Sequence, residues 1–315
     1  MPLDLKTGSL ALAPMAGYTN YAFRFLEGRY GADVTFSEFI AAEELIRLKE
    51  ENKILNLLKV PANSIGGIQL FGSNSDTFRE VLKLIEEYNS SYCLGIKFID
   101  LNLGCPAQKI LKTGAGASLL YNKTKLQEIA KVFCKYSSIP HSAKLRILEN
   151  EDKFFEICEL LIKNNFSFLS VHCRTKNQKF SQPPKWEICK KIKEKLDIFV
   201  FANGSISSAQ DVNFILKNFS DGVMIGRKAL LDPFIFLEAK SYPKAENINN
   251  LKNKIKFLKE YINLIDESQF LYAKNLSLKL FRNFKKATII RQKITLAANL
   301  KDLIDIIEAG PEAFE

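Results

Sequence analysis

The sequence predicts an α/β chain: a (β/α)8 barrel followed by an all-α helical bundle. Three observations predict it. Eight apolar, β-rich runs recur between residues 10 and 225, amphipathic helical patterns fill the gaps, and β-type runs stop after Pro243. An open, doubly wound sheet is the rival arrangement. It needs a glycine-rich turn after its first strand, where this chain has Pro14-Met15-Ala16-Gly17.

The runs lie at 10–13, 34–37, 65–70, 98–103, 143–147, 168–172, 198–202 and 222–225. Helical patterns between them include 43–58, 76–89, 125–136, 152–164, 185–196 and 209–217. Asp76-Thr77-Phe78-Arg79 opens one with a capping residue, and Ser207 or Ser208 opens another. In the fourth run Ile99, Leu101 and Leu103 alternate as a half-buried strand does, so Asp100 and Asn102 leave on the other face. Gly104 breaks this strand and Pro106 removes a backbone donor, which fixes Cys105 at the strand mouth. On this stretch alone, a buried cysteine beside a tight turn fits equally well.

From about residue 247 the pattern is helical only: Leu251, Ile255, Leu258 and Ile262, then Leu276, Leu280 and Phe284, then Leu300, Leu303, Ile304 and Ile307. Residues 1–242 are therefore expected to form the barrel and 243–315 a helical domain, with the Asn/Lys-rich stretch 244–254 as a solvated linker.

A chain of 315 residues, 47% apolar and 25% charged, has the composition of a soluble globular protein. It contains no apolar run of about 18 residues, so no membrane span is expected. The opening MPLDLKTGSL lacks the pattern of a signal peptide. Six cysteines without a C-x-x-C pair argue against a metal site and for a reducing cytoplasm. The net charge of +10 favours a polyanionic partner. Between Tyr272 and Lys301 the chain carries Lys274, Lys279, Arg282, Lys285, Lys286, Arg291 and Lys293 with no acidic residue, as a phosphate-backbone grip requires. A grip this local works in a monomer, and no protein partner is implied.

Barrel active sites lie at the C-terminal strand ends. Collecting those ends gives Pro14, Met15 and Ala16, then Ser37 and Glu38, Gln69, Asn102 and Cys105, Lys144 and Arg146, His172 and Arg174, Asn203 and Gly204, and Gly226 and Arg227. Each alone has an ordinary structural reading, yet together they ring one cavity. Gly204 and Gly226-Arg227 end strands seven and eight, where barrels hold phosphate: glycines let backbone N–H groups approach and the guanidinium adds a charged fork. Neither a Walker loop nor G-x-G-x-x-G is present, so a phosphate-bearing ring cofactor fits better than ATP.

The segments APMAGYTNYAFR (13–24), SEF (37–39), QLFGSN (69–74), DLNLGCPAQKI (100–110), GAGASLL (114–120), KLR (144–146), VHCRT (171–175), ANGSI (202–206) and DGVMIGRKALLDPFIF (221–236) resemble the tRNA-dihydrouridine synthase family. The resemblance runs through the whole barrel in order. It implies reduction of a tRNA uridine with FMN and NADPH. It places Pro14, Met15 and Ala16 against the flavin ring, and Gln69, Lys144 and His172 at its polar edge. Asn203, Gly204, Ser205, Gly226 and Arg227 would hold the phosphate. Cys105 would be the catalytic acid, with Asn102 and Arg146 facing the uracil. The chain departs from the commonest family pattern at Asn20 and Ser205, where Asp is usual, and at Cys173 and Leu148, where Gly is usual.

Reducing the uracil C5=C6 bond needs a hydride at C6 and a proton at C5. A free thiol, with a pKa of about 8.5, keeps its proton at pH 7 and can serve as a general acid. The base must leave the tRNA stack to reach the barrel mouth. A second reading keeps the barrel but makes the substrate a free pyrimidine, as in dihydroorotate dehydrogenase. That reading leaves the basic tail without a role.

Overall fold

The computed structural model describes residues 3–179, 181–244, 248–282 and 287–309. Among them, eight parallel strands close into a barrel in sequence order: β1 (Leu10–Leu12), β2 (Val34–Ala41), β3 (Ile65–Phe71), β4 (Phe98–Leu103), β5 (His141–Arg146), β6 (Phe166–His172), β7 (Phe199–Asn203) and β8 (Gly222–Ile225), with β8 pairing back onto β1. Each predicted run is a strand. The second runs past its expected end at Ser37 to Ala41, through a register shift between Phe36 and Phe39.

The outer layer consists of α1 (Tyr21–Arg29), α2 (Ala42–Arg47), α3 (Glu51–Leu58), α4 (Ser75–Ser91), the short α5 (Gln108–Leu111), α6 (Lys123–Tyr136), α7 (Glu151–Lys163), α8 (Glu187–Lys195), α9 (Ala209–Asn218) and α10 (Ile235–Ser241). The single helix expected over 43–58 is two helices. Leu45 and Ile54 stand nine residues apart, on opposite sides of a continuous helix at 3.6 residues per turn. The extended break after Leu48 lets both be buried. The cap of α4 is Asn74 rather than Asp76: its side chain accepts from the Thr77 N–H. Ser208 caps α9 as expected, in a capping box with Asp211.

The fourth strand is buried on both faces, not one. Helices cover its outer face, and Phe98, Asp100 and Asn102 point into the closed barrel. The barrel floor is a plug of Phe36, Phe98, Phe168 and Phe201, packed edge to face with centroids 4.8, 5.1 and 5.6 Å apart in that order. Gly67 and Gly222 make room for it: a Cβ would lie 2.2 Å from the Phe98 ring and 2.5 Å from Phe201, respectively. Apolar packing thus fills the floor, and the polar interior side chains collect toward the C-terminal strand ends.

The tail holds α11 (Leu251–Ile262), α12 (Phe270–Leu280), α13 (Ala287–Leu296) and α14 (Leu300–Glu308). Its apolar side chains continue the core that lies between the strands and their helices. Phe257 of α11 packs on Phe23 and Tyr30 at 6.1 and 5.5 Å. Asn20 caps α1 by accepting from Phe23 N–H, and its amide donates to Tyr261 Oη and Gln269 Oε1 at 2.8 Å each. An Asp there has no N–H to give either partner. The expected solvated linker is a correction where it is described: Lys254 is buried, because its ammonium donates to the carbonyls of Leu231 and Leu280. Residues 245–247 of that stretch lie outside the described residues.

Candidate active site

A cavity of 680 Å³ opens at the C-terminal end of the barrel. Its walls bring together Pro14, Met15, Gln69, Asn102, Cys105, Lys144, Arg146, His172, Asn203, Gly204, Ser205, Gly226 and Arg227, from the ends of β1 and β3 to β8 and the loops that follow them. Ala16 is exposed and lies outside the lining.

Cys105 is held by its backbone. The Asn102 Oδ1 accepts from the N–H groups of Gly104 and Cys105 at 3.1 and 3.0 Å. Arg146 Nε donates to the Gly104 carbonyl at 2.9 Å, and its Nη1 to the Thr175 carbonyl at 3.1 Å. The Cys105 carbonyl accepts from Ala117 N–H at 3.1 Å. Gly116 takes φ +60° and presses on this turn, where a Cβ would lie 2.9 Å from the Cys105 carbonyl oxygen. The thiol-bearing turn is therefore fixed by strands β4 and β5 and by the 3₁₀ segment Gly116–Tyr121.

Inside the barrel, Gln69 donates to Asp100 Oδ2 at 2.7 Å and accepts from Asn102 Nδ2 at 2.9 Å. Burial pushes Asp100 up to about 7, against hydrogen bonds from Ser142 and Gln69 and the charge of Lys144. Lys144 is pushed down to about 8 by burial and then by Arg146, with Asp100 opposing. His172 is pushed down to about 2 by burial, then by Lys144, Arg146, Arg174 and Arg227, so its imidazole is neutral at physiological pH.

The opposite wall is shaped by Gly204 at φ +132° and Ser205 at φ +51°, both in the left-handed region. Asn203 donates to the Met224 carbonyl at 2.7 Å, and Trp186 Nε1 donates to the Gly204 carbonyl at 3.2 Å. Arg174 donates to Ser205 Oγ from behind the cavity wall. Cys173 also lies behind the wall, its thiol 3.4 Å from that of Cys189.

From the tail, Lys279 and Arg282 reach the cavity. Burial, then Arg282, Arg291 and Arg227, lower the Lys279 pKa, so these side chains form one positive rim. Lys274 turns into its own bundle and donates to the Ala297 carbonyl at 2.8 Å. Arg291 is partly buried and Lys293 exposed on α13; Lys285 and Lys286 lie outside the described residues. Sequence reasoning passed over Lys228, Phe39 and Ile206, which also line the cavity. Lys228 directly follows Arg227 and was the one with a readable signal.

Among the described residues the lining includes Lys144, Arg146, Arg227, Lys228, Lys279 and Arg282 and no Asp or Glu. That donor set fits an anionic, phosphate-bearing cofactor, and the volume falls in the range of about 300–1,000 Å³ of small-molecule sites. The dihydrouridine synthase (Dus) family model matches residues 11–313. The chain belongs to the dihydrouridine synthase family. It is thereby a flavin-dependent oxidoreductase whose substrate is tRNA. It is 30% identical over 321 residues to a probable tRNA-dihydrouridine synthase of Aquifex aeolicus, covering 98% of each chain. It is 31% identical over 240 residues to tRNA-dihydrouridine synthase B of Pasteurella multocida, covering 75% of this chain and 70% of that one. Among solved structures it is similar to the old yellow enzyme from Trypanosoma cruzi, with a TM-score of 0.54 at 11% identity over 80% of this chain and 94% of that one. Morphinone reductase in complex with tetrahydroNAD gives 0.51 at 12% identity, over 80% and 93%. At such identities these two share the barrel alone with the synthase. No helix among the described residues is long and apolar enough to cross a membrane.

Proposed function

We propose that this protein reduces the C5=C6 bond of a uridine in the D-loop of tRNA to 5,6-dihydrouridine, with FMN as bound cofactor and NADPH as reductant. The observation that carries this reading is the Cys105 turn at the lip of a cavity whose lining, among the described residues, is basic and free of carboxylates. Reduced FMN bound there would supply hydride to uracil C6.

The chain's own residues have separable tasks. Gly204, Ser205, Gly226 and Arg227 hold the phosphate, with Asn203 fixing the strand end beneath. Pro14 and Met15 support the ring face. Gln69, Lys144 and neutral His172 meet its polar edge, where the Lys144 ammonium stabilises negative charge. Asn102 and Arg146 anchor the Cys105 turn and border the space for uracil. The Cys105 thiol gives its proton to C5.

The barrel, residues 1–242, is the catalytic unit, and residues 243–315 grip the tRNA. Lys279 and Arg282 link the two, because they stand on the tail and line the cavity. Lys285, Lys286, Arg291 and Lys293 complete the basic stretch, and Lys274 braces it from within the bundle. Such a protein acts in the cytoplasm as a monomer. Single-turnover kinetics of Cys105→Ala test the assignment. NADPH should still bleach the flavin at the native rate, while dihydrouridine formation falls by orders of magnitude. Native product formation in the variant rejects Cys105 as the acid.

A further inference from the structure

Asp100 is fully buried, does not line the cavity, and has no role in the chemistry assigned above. It nevertheless begins an unbroken chain of side chains that ends at the Cys105 turn. Its Oδ2 accepts from Gln69 Nε2, Gln69 Oε1 accepts from Asn102 Nδ2, and Asn102 Oδ1 accepts from the N–H groups of Gly104 and Cys105. Asp100 Oδ1 accepts from Ser142 Oγ. Gln69 and Ser142 are fully buried and Asn102 nearly so, leaving water little access as an alternative partner.

Donor and acceptor accounting gives this chain a direction. Above its raised pKa of about 7 the Asp100 carboxylate only accepts, and backbone N–H groups only donate. With both ends fixed, each amide between them has one permitted orientation: nitrogen toward Asp100, oxygen toward Cys105. Turning either amide sets donor against donor or acceptor against acceptor in a buried site, where an unsatisfied polar group is costly. We propose that Asp100 is a positioning residue for the Cys105 thiol: its acceptor-only carboxylate fixes the polarity of the Gln69 and Asn102 amides and so holds the oxygen that ties down the Cys105 turn. This inference rests on the reading of Cys105 as the proton donor.

A reciprocal exchange tests it. In Asn102→Asp the new carboxylate still accepts from Gly104 and Cys105 but demands a donor from Gln69. Gln69 must then turn its oxygen toward Asp100, acceptor against acceptor, and the chain breaks as long as Asp100 is ionised. In Asp100→Asn the amide oxygen can still accept from Gln69 while its nitrogen donates to the Ser142 hydroxyl, so the chain survives. In the double variant Asp100→Asn/Asn102→Asp the whole chain reverses and every partner is again satisfied: Asn at 100 donates to Gln69, which donates to Asp at 102, which accepts from the turn. The readout is the iodoacetamide alkylation rate of the Cys105 peptide at about pH 8.5, where Asp100 is ionised, followed by mass spectrometry on the flavin-bound protein without tRNA.

The expected result is a change of about fivefold or more in Asn102→Asp, with Asp100→Asn and the double variant returning to near the native rate, as coupled neighbours in one network do. Additive effects, with the double variant no better than Asn102→Asp, overturn the proposal. If Asn102→Asp alone does not fold, the double variant decides the matter: recovered folding supports the polarity chain, and equal loss overturns it. Alkylation needs neither tRNA nor hydride transfer, so failure here leaves the dihydrouridine reading standing, and Cys105→Ala kinetics test that separately.

Discussion

Tyr272 donates its hydroxyl hydrogen to Glu38 Oε2 at 2.7 Å, joining α12 of the tail to the second barrel strand. The other Glu38 oxygen accepts from the Gly17 N–H, in the loop that carries Met15 into the cavity wall. One carboxylate thus ties the tail to the loop after β1. Burial, then Glu38, raise the Tyr272 pKa, so the phenol keeps its donor proton. Tyr272→Phe removes the bond while keeping the ring. Hydrogen exchange in α12 should become about tenfold faster, corresponding to about 1.4 kcal/mol, at the upper end of the net worth of a typical hydrogen bond. Unchanged exchange would show that the tail is held without this contact.

Gly116→Ala should disable the acid step selectively. Its Cβ would meet the Cys105 carbonyl oxygen at 2.9 Å and the Cys105 Cβ at 3.3 Å, at a φ of +60°. Displacing a reacting group by about 1 Å costs on the order of a hundredfold. Dihydrouridine formation should fall by about that factor, while flavin reduction by NADPH is unaffected. Stopped-flow measurement of the two half-reactions separates these effects.

The affinity of the apoprotein for FMN should depend on pH through Lys144. Burial and Arg146 set this ammonium at about 8, and it attracts an anion only while protonated. Affinity should therefore hold steady up to about pH 8 and decline above it, as fluorescence titration from about pH 7 to about 9.5 will show. His172, pushed down to about 2, should contribute no such step. Its imidazole NMR signals should stay at neutral positions down to about pH 5.

Lys279→Ala and Arg282→Ala should each raise the Kd for tRNA about fivefold and flatten its salt dependence by roughly one released counterion or less. Both side chains stand on the rim that joins tail and cavity. Binding isotherms at several salt concentrations check this. Lys274→Ala should behave differently, since its ammonium is spent on the Ala297 carbonyl at 2.8 Å: it should lower thermal stability more than tRNA affinity.

The barrel was legible because its strands are apolar runs cut by turn residues, and Gly104 and Pro106 mark the Cys105 turn in one dimension. The direction of the fourth strand was legible only by halves. Alternation separates Ile99 from Asp100, but only barrel closure reveals that both faces are covered and that Asp100 meets Gln69 and Ser142. The Glu38–Tyr272 and Asn20–Tyr261 bonds span 234 and 241 residues and leave no local mark. Charge alone also could not separate Lys279, which faces the cavity, from Lys274, five residues earlier and turned inward: helical geometry and the packing of α12 on α13 make that choice.

Everything proposed for the cavity converges on one reaction, the addition of two hydrogens to a tRNA uridine. The direct measurement is mass spectrometry of nuclease fragments of unmodified tRNA after incubation with the flavin-bound protein and NADPH. One D-loop fragment should be heavier by two hydrogens, formed only when NADPH is present and lost in Cys105→Ala. Oxidation of NADPH with every tRNA fragment unchanged in mass, under conditions where tRNA binds, would contradict it.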